Sequence, residues 1–187
     1  MPFYTRKGDD GTTGLLGKGR IAKHHLRMEA IGTLDESSAS LGLARAAALD
    51  AHCRSLLLET QRDLYRLMSE VAATTENVNQ FHFDPRRVDW LEEQIDALSK
   101  TVEMPKEFIV PGDSAAGSAL SLARTIVRRA ERRVVELFNK KEISNPALQQ
   151  YLNRLSSLLF ALELLENQAA GKDTTKANDE MQEGPNQ

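Results

Sequence analysis

One stretch, LARTIVRRAERRVVEL, leaves little choice of backbone. Leu120, Ala123, Val127, Ala130, Val134 and Leu137 recur at steps of three and four, the period of a helix with one apolar side. Beside that side stand Arg124, Arg128 and Arg132 at i, i+4 and i+8, with Glu131 set among them. Planar guanidiniums bind phosphate or carboxylate bidentately and stay charged at any physiological pH. A long helix ordinarily carries such charge on a solvated face. Here a glycine- and threonine-rich loop at the other end of the chain supplies a counterpart, and together they point to a polyphosphate site.

The chain has 187 residues, enough for one well-packed domain and short for two. Its net charge of −3 excludes a global attraction to nucleic acid or anionic membrane, so any anion site is local. The single cysteine, Cys53, excludes an internal disulfide and a cysteine-cluster metal site. The chain starts MPFYTRKGDD, without an apolar signal segment, and no apolar run is long enough to span a bilayer; a soluble cytoplasmic protein is expected. Few aromatics and many Ala, Leu, Glu and Arg favour helices over a β-sandwich.

Residues 1–25 read as irregular, because Gly8, Gly11, Gly14, Gly17 and Gly19 leave little room for helix. A first helix, to about Ala48, follows from Met28, Ile31, Leu34, Ser38, Leu41 and Ala44 on one face. A second, from about Ala51 to Thr75, rests on Leu56, Leu57, Leu64, Leu67, Met68 and Val71. Glu76 to Phe83 reads as a loop. Asp84-Pro85 caps a third helix on Val88, Leu91, Ile95 and Leu98. Phe108 to Gly112 is a short extended connector ended by a turn. Ser114 caps the fourth helix, which lasts to about Lys140, and Ser144 or Asn145-Pro146 opens a fifth on Leu148, Leu152, Leu155, Leu159 and Leu162. From Gly171 the chain is almost without apolar residues and is expected to be a disordered tail, 171–187. The expectation is an all-α domain over 1–170, a bundle of about five helices.

In the loop from Thr5 to Gly14, glycines let successive N–H groups face one concavity, as phosphate cradles require. Its threonines add donors, and Asp9 or Asp10 could hold Mg²⁺ through water. No Walker A pattern occurs. Gly17 to Ala22 resembles G-x-G-x-x-A, but no strand is expected before it, so a dinucleotide fold is discarded. Of Asp35 and Glu36, adjacent on a helix, only one faces a given site. Asn153 and Arg154 interrupt the leucine-rich face of the fifth helix. Phe108, read alone, is a core residue. His24, His25, His52 and His82 have no metal-ligand spacing.

The segments TRKGDDGTTGLLG, EAIGTLDESSASLG, FIVPG, ARTIVRRAERRV and YLNRLSSLLF, in this order, resemble the PduO-type ATP:cob(I)alamin adenosyltransferases over nearly the whole chain to about residue 166. The resemblance implies a homotrimer of five-helix bundles with sites between subunits, ATP held by the loop over residues 1–25, and Mg²⁺ at the triphosphate. It implies ATP contacts from Thr5, Arg6, Lys7, Gly8, Thr13, Gly14, Lys23, Arg128, Arg129, Ala130, Glu131, Arg132 and Asn153. Asp35 and Arg124 match an acid–arginine pair across the interface, and Phe108 an aromatic at the corrinoid's lower face. The implied reaction is attack of cob(I)alamin, reached from cob(II)alamin, on the 5′ carbon of ATP with loss of triphosphate.

The chain departs from the pattern at Lys7 (commonly threonine), Ser37-Ser38 (usually Leu-Asn), Asp113 (glycine), Ser121 (often histidine) and Ser157 (commonly aspartate). By the resemblance, Lys7 adds a charge beside the phosphates, and the substitutions fall mainly near the corrinoid side and the interface. They leave open a carrier or sensor that binds ATP or adenosylcobalamin with little turnover and hands it to an adenosylcobalamin-dependent enzyme. A helical protein whose arginines bind an acidic partner is a third reading, in which the Gly-Thr loop has no purpose.

Overall fold

The computed structural model, described for residue 4 and residues 6–178, has five helices where the apolar periodicity puts them. They are α1 (Leu26–Ala47), α2 (Ala51–Ala72), α3 (Arg86–Leu98), α4 (Ala115–Asn139) and α5 (Ala147–Ala169). The expected caps form. Ser114 Oγ accepts from the Gly117 amide at 2.9 Å, Asp84 Oδ1 from Arg86 at 3.0 Å, and Asn145 Oδ1 from Ala147 at 3.0 Å. Two further caps carry no obvious signal: His25 Nδ1 accepts from the Arg27 amide, and Asp50 Oδ1 from the Cys53 amide.

Helix α1 packs between α2 and α4, α4 between α1 and α5, and α3 lies on α5. All six apolar residues of the α4 stripe are fully buried, facing leucines such as Leu34, Leu41, Leu152 and Leu159. Each such side chain contributes about 1.5–3 kcal/mol of transfer free energy. Helices α4 and α5 run antiparallel in a fixed register: Ser114 Oγ donates to Asn167 Oδ1 at 2.7 Å, and Asn153 Nδ2 to Glu131 Oε1 at 3.0 Å. Their approach requires glycine at 117, where an added Cβ would sit 2.3 Å from Asn167 Oδ1.

Buried carboxylates tie the connections to the bundle. Asp63 on α2 accepts from Arg66 Nη1 (2.7 Å), Arg87 Nε (2.8 Å) and Tyr151 Oη (2.9 Å). Burial, with Asp63 beside it, pushes the Tyr151 hydroxyl well above its usual range. Glu70 accepts from the Phe83 amide and from Asn145 Nδ2, and Glu166 accepts from the amides of Leu49 and Asp50 at the mouth of α2. Arg27 donates to the carbonyls of Val71, Ala73 and Glu142 and to the Glu142 carboxylate, which is held below its usual range by that bond.

Three expectations need correction. The segment read as irregular contains an antiparallel hairpin, β1 (Thr12–Gly14) and β2 (Arg20–Ala22), with Thr13 opposite Ile21. Its turn is open because Gly17 and Gly19 sit at φ 137° and 103°. The hairpin is stitched to the end of α2 by Leu16 N to Ala72 O (2.9 Å) and Thr74 N to Leu16 O (3.0 Å). The loop at 76–83 holds a 3₁₀ turn, Val78–Gln80. The third correction concerns the tail expected from Gly171, which is bound to the connector before α4 through Thr175 to Ala177. Val110 N donates to Thr175 O (2.9 Å), Ala177 N to Phe108 O (2.8 Å), and Thr175 N and Oγ1 to the Asp113 carboxylate (3.0 and 2.7 Å). Two of these four are main-chain bonds and two end on the Asp113 carboxylate, and apolar content reports neither kind.

Candidate functional site

The site residues fall into three groups. The first is the N-terminal loop, where Arg20 organises the backbone: its Nε donates to Thr12 Oγ1 (2.8 Å), and its Nη2 to Lys7 O (2.5 Å) and Thr12 O (3.0 Å). Asp10 Oδ1 accepts from the Thr12 amide and hydroxyl, and those bonds hold the Asp10 carboxyl below its usual range. Lys23 N donates to Gly11 O, and the Lys23 ammonium comes within 3.0 Å of where a Cβ on Gly8 would lie. A side chain at residue 8 would therefore displace the ammonium. Gly8 and Lys23 are brought together, Lys7 and Arg6 stand exposed beside them, and Thr13 and Gly14 lie in β1. Thr5 lies outside the described residues. Arg20 was missed by sequence reasoning, because only the folded hairpin places it across from Gly14.

The second group lies on α4. A groove of about 520 Å³ runs along its C-terminal half, lined by Arg128, Glu131, Arg132, Val135, Glu136, Asn139 and Lys140. Asn153 reaches it from α5, with its amide fixed between two partners: Nδ2 on Glu131 and Oδ1 on Arg154 Nη1 (2.8 Å). Arg154 is anchored in turn by Glu92 of α3 at 2.7 Å. Arg132 Nη1 bonds back to Arg128 O. Arg129 pairs with Glu36 of α1, so this guanidinium ties two helices. Ala130 has its side chain in the core. Arg133 beside Glu29, and Arg27 on Glu142, put the groove at the same end of the bundle as the hairpin that precedes α1.

The third group is dispersed. Phe108, read alone as a core residue, is 86% exposed, which corrects that reading. Asp35 is exposed on α1 and Arg124 half-buried on α4. Among the described residues no ion pair joins Asp35 to Arg124 within the chain, and Arg124 Nε is buried without a hydrogen-bond partner. Among those residues, too, no helix is long and apolar enough to cross a membrane.

A family model described as cobalamin adenosyltransferase matches residues 3–166. The chain is 42% identical over 172 residues to the corrinoid adenosyltransferase PduO of Salmonella typhimurium, covering 91% of this chain and 51% of that one. It is 41% identical over 175 residues to a corrinoid adenosyltransferase of Bacillus subtilis, covering 91% and 89%. The chain thus spans about half the length of the PduO relatives from S. typhimurium and Citrobacter freundii. A solved variant of the PduO-type ATP:corrinoid adenosyltransferase from Lactobacillus reuteri, complexed with cobalamin and ATP, superposes with a TM-score of 0.86 at 32% identity, covering 95% of this chain and 97% of that one.

Proposed function

This chain belongs to the cobalamin adenosyltransferase family, and we propose on that footing that it transfers the 5′-deoxyadenosyl group of ATP to cob(I)alamin. The observation that carries the reading is the α4 groove, where Arg128 and Arg132 stand at the end of the bundle that also bears the glycine loop. Cob(I)alamin is the nucleophile. Its cobalt electron pair becomes the bond to the 5′ carbon, the carbon–oxygen bond breaks, and the leaving triphosphate departs with the electrons of that carbon–oxygen bond. The protein therefore needs no nucleophile or general base. It must hold the 5′ carbon in line with cobalt and stabilise charge gathering on triphosphate. Arg128, Arg132, Lys7 and Lys23 supply positive charge, and the loop amides supply donors. Thr5, Arg6, Gly8, Thr13 and Gly14 complete the loop's part, and Glu131 with Asn153 the helical part.

Among the described residues no three acids, histidines or cysteines cluster as a metal cage. Mg²⁺ would bind through the substrate phosphates with one or two carboxylates and there neutralise phosphate charge. The exposed Asp9 and Asp10 are the carboxylates the loop offers.

The exposed Phe108 ring would press on the corrinoid's lower face, displace the axial ligand and make Co(II) easier to reduce. Asp35 and Arg124, unpaired with each other in one chain, would pair between neighbours in a homotrimer, so that each site is shared. We place the reaction in the cytoplasm, where ATP and reductant are supplied, with the product handed to an adenosylcobalamin-dependent enzyme. An anaerobic assay with ATP, Mg²⁺ and chemically reduced cobalamin tests the reading. Light-sensitive adenosylcobalamin and free triphosphate in equal amounts support it. ATP binding without product would make the chain a carrier or sensor instead.

A further inference from the structure

The strand-like segment after α5 and the connector before α4 meet in one antiparallel bridge, with Ile109 opposite Lys176. A main-chain bond closes it on each side: Ala177 N donates to Phe108 O at 2.8 Å, and Val110 N to Thr175 O at 2.9 Å. Side chains alternate along such a segment. Ile109 is half-buried, so its neighbours turn outward, Phe108 86% exposed and Val110 47% exposed. The bridge thus presents the ring to solvent, but two main-chain bonds alone do not hold a ribbon together in water. Asp113 adds the rest: its carboxylate accepts from the Thr175 amide (3.0 Å) and hydroxyl (2.7 Å). The chain bends at Pro111 and Gly112, the latter at φ 143°, and brings Asp113 back against this C-terminal strap. Both ends of the arrangement are fixed to the bundle. Asp113 precedes Ser114, which caps α4 and donates to Asn167 of α5. The strap leaves α5 through Gly171, at φ 66°, with Lys172 N on Asn167 O at 2.9 Å.

We propose that Asp113 is a positioning residue for Phe108: clasped to Thr175, it closes the strap on the connector and holds the ring in the outward pose that meets a corrinoid's lower face. The proposal rests on the reading of Phe108 as the residue that displaces the axial ligand. Asp113 touches no substrate; it acts through Thr175 and, along the strap, through the Phe108 carbonyl. Displacing an axial ligand costs free energy, and a connector still to be ordered would lose part of its contact energy to its own ordering. Braced in advance, the ring meets the corrinoid already in place. By the resemblance glycine is usual at 113, and glycine has no side chain to clasp with, so the brace comes from this chain's own aspartate. A carboxylate just before α4 also favours the positive end of that helix, but a role of that kind would be served without Thr175.

The test uses the full-length chain and one variant from each side of the clasp, Asp113→Ala and Thr175→Val, with Asp113→Asn as the conservative partner. In Asp113→Asn the side-chain oxygen still accepts from the Thr175 amide, and the nitrogen donates to the hydroxyl. With ATP and cob(II)alamin bound, electron paramagnetic resonance gives the ratio of four- to five-coordinate cobalt. That ratio, and kcat with it, should fall about tenfold in Asp113→Ala, the effect of losing one charge-assisted hydrogen bond. The fall should be smaller in Thr175→Val, which keeps the amide bond, and Asp113→Asn should recover most of the wild-type ratio. KM for ATP should stay within about twofold throughout. Amide exchange reads the brace without cobalt: Val110 and Ala177 should be protected in the wild type and lose protection in Asp113→Ala. A wild-type cobalt ratio in Asp113→Ala, or protection that this variant leaves intact, overturns the positioning role. So does a lowered melting temperature in Asp113→Ala with Thr175→Val like the wild type in ratio and exchange, the signature of a helix-end charge. If the wild type itself shows no four-coordinate cobalt, the reading of Phe108 fails and the positioning role falls with it, even where the clasp protects its amides.

Discussion

Asp63→Ala is a severe test of how the bundle closes, because Asp63 is where three helices meet. Its carboxylate, fully buried on α2, takes Arg87 at the start of α3, Tyr151 of α5, and Arg66 one turn along α2. The three partners do not lose equally. The Arg66 side chain is 56% exposed and can turn to water, so its share is under about 1 kcal/mol. Arg87 is only 22% exposed and stacked 4.0 Å over Trp90, and Tyr151 is fully buried with no other acceptor for its hydroxyl. An orphaned buried hydroxyl costs about 1–3 kcal/mol, and breaking a buried ion pair about 3–5 kcal/mol. These overlap, so the variant should lose about 3–5 kcal/mol. At about 2–4 °C per kcal/mol for a chain this long, melting should fall by roughly 6–20 °C. Urea unfolding of Asp63→Ala, Tyr151→Phe and the double variant separates the parts. Tyr151→Phe should be costly in the wild type and close to neutral once Asp63 is gone. A loss below about 1 kcal/mol for Asp63→Ala, or an equal cost of Tyr151→Phe in both backgrounds, would refute the reasoning.

Arg128→Ala should weaken ATP binding by about 1.5–3 kcal/mol, read by calorimetry, with helical circular dichroism unchanged because the residue is exposed. Unfolding with ATP affinity spared would make Arg128 structural. Phe108→Ala should cut turnover by orders of magnitude at unchanged ATP affinity, and bound cob(II)alamin should pass from four- to five-coordinate character in its spectrum; a persisting four-coordinate signal would remove the role. Truncation after Ala170 should leave the helices intact, since the core cluster lies before it, yet slow the corrinoid step by freeing the Phe108 connector. Full activity in the truncated chain would show that the pairing of 108–110 with 175–177 is idle.

The helices were legible because each buries one face, and burial writes a period of 3.6 into the sequence. The α4 stripe, read at steps of three and four, is the fully buried face of the longest helix. The hairpin and the strap at 175–177 were not legible, because they are held by main-chain bonds and by Asp113 and Arg20, whose partners lie 62 and 8–13 residues away in sequence. In the candidate site the guanidinium line was visible, while the exposure of Phe108 depends on how the connector leaves the bundle.

The hairpin's attachment sets an order of events on warming. A two-stranded ribbon of three-residue strands does not hold itself together in water. This one is kept by two main-chain bonds through Leu16 and by the close fit of Gly17, where a Cβ would lie 2.1 Å from Thr74 Oγ1. The helices have a continuous core and the hairpin does not, so it is the low-stability end of the molecule. On heating, the loop's grip on an anion should fade while far-ultraviolet helicity is still full. The temperature ceiling for holding a nucleotide is then set by the last turn of α2 rather than by the melting of the bundle.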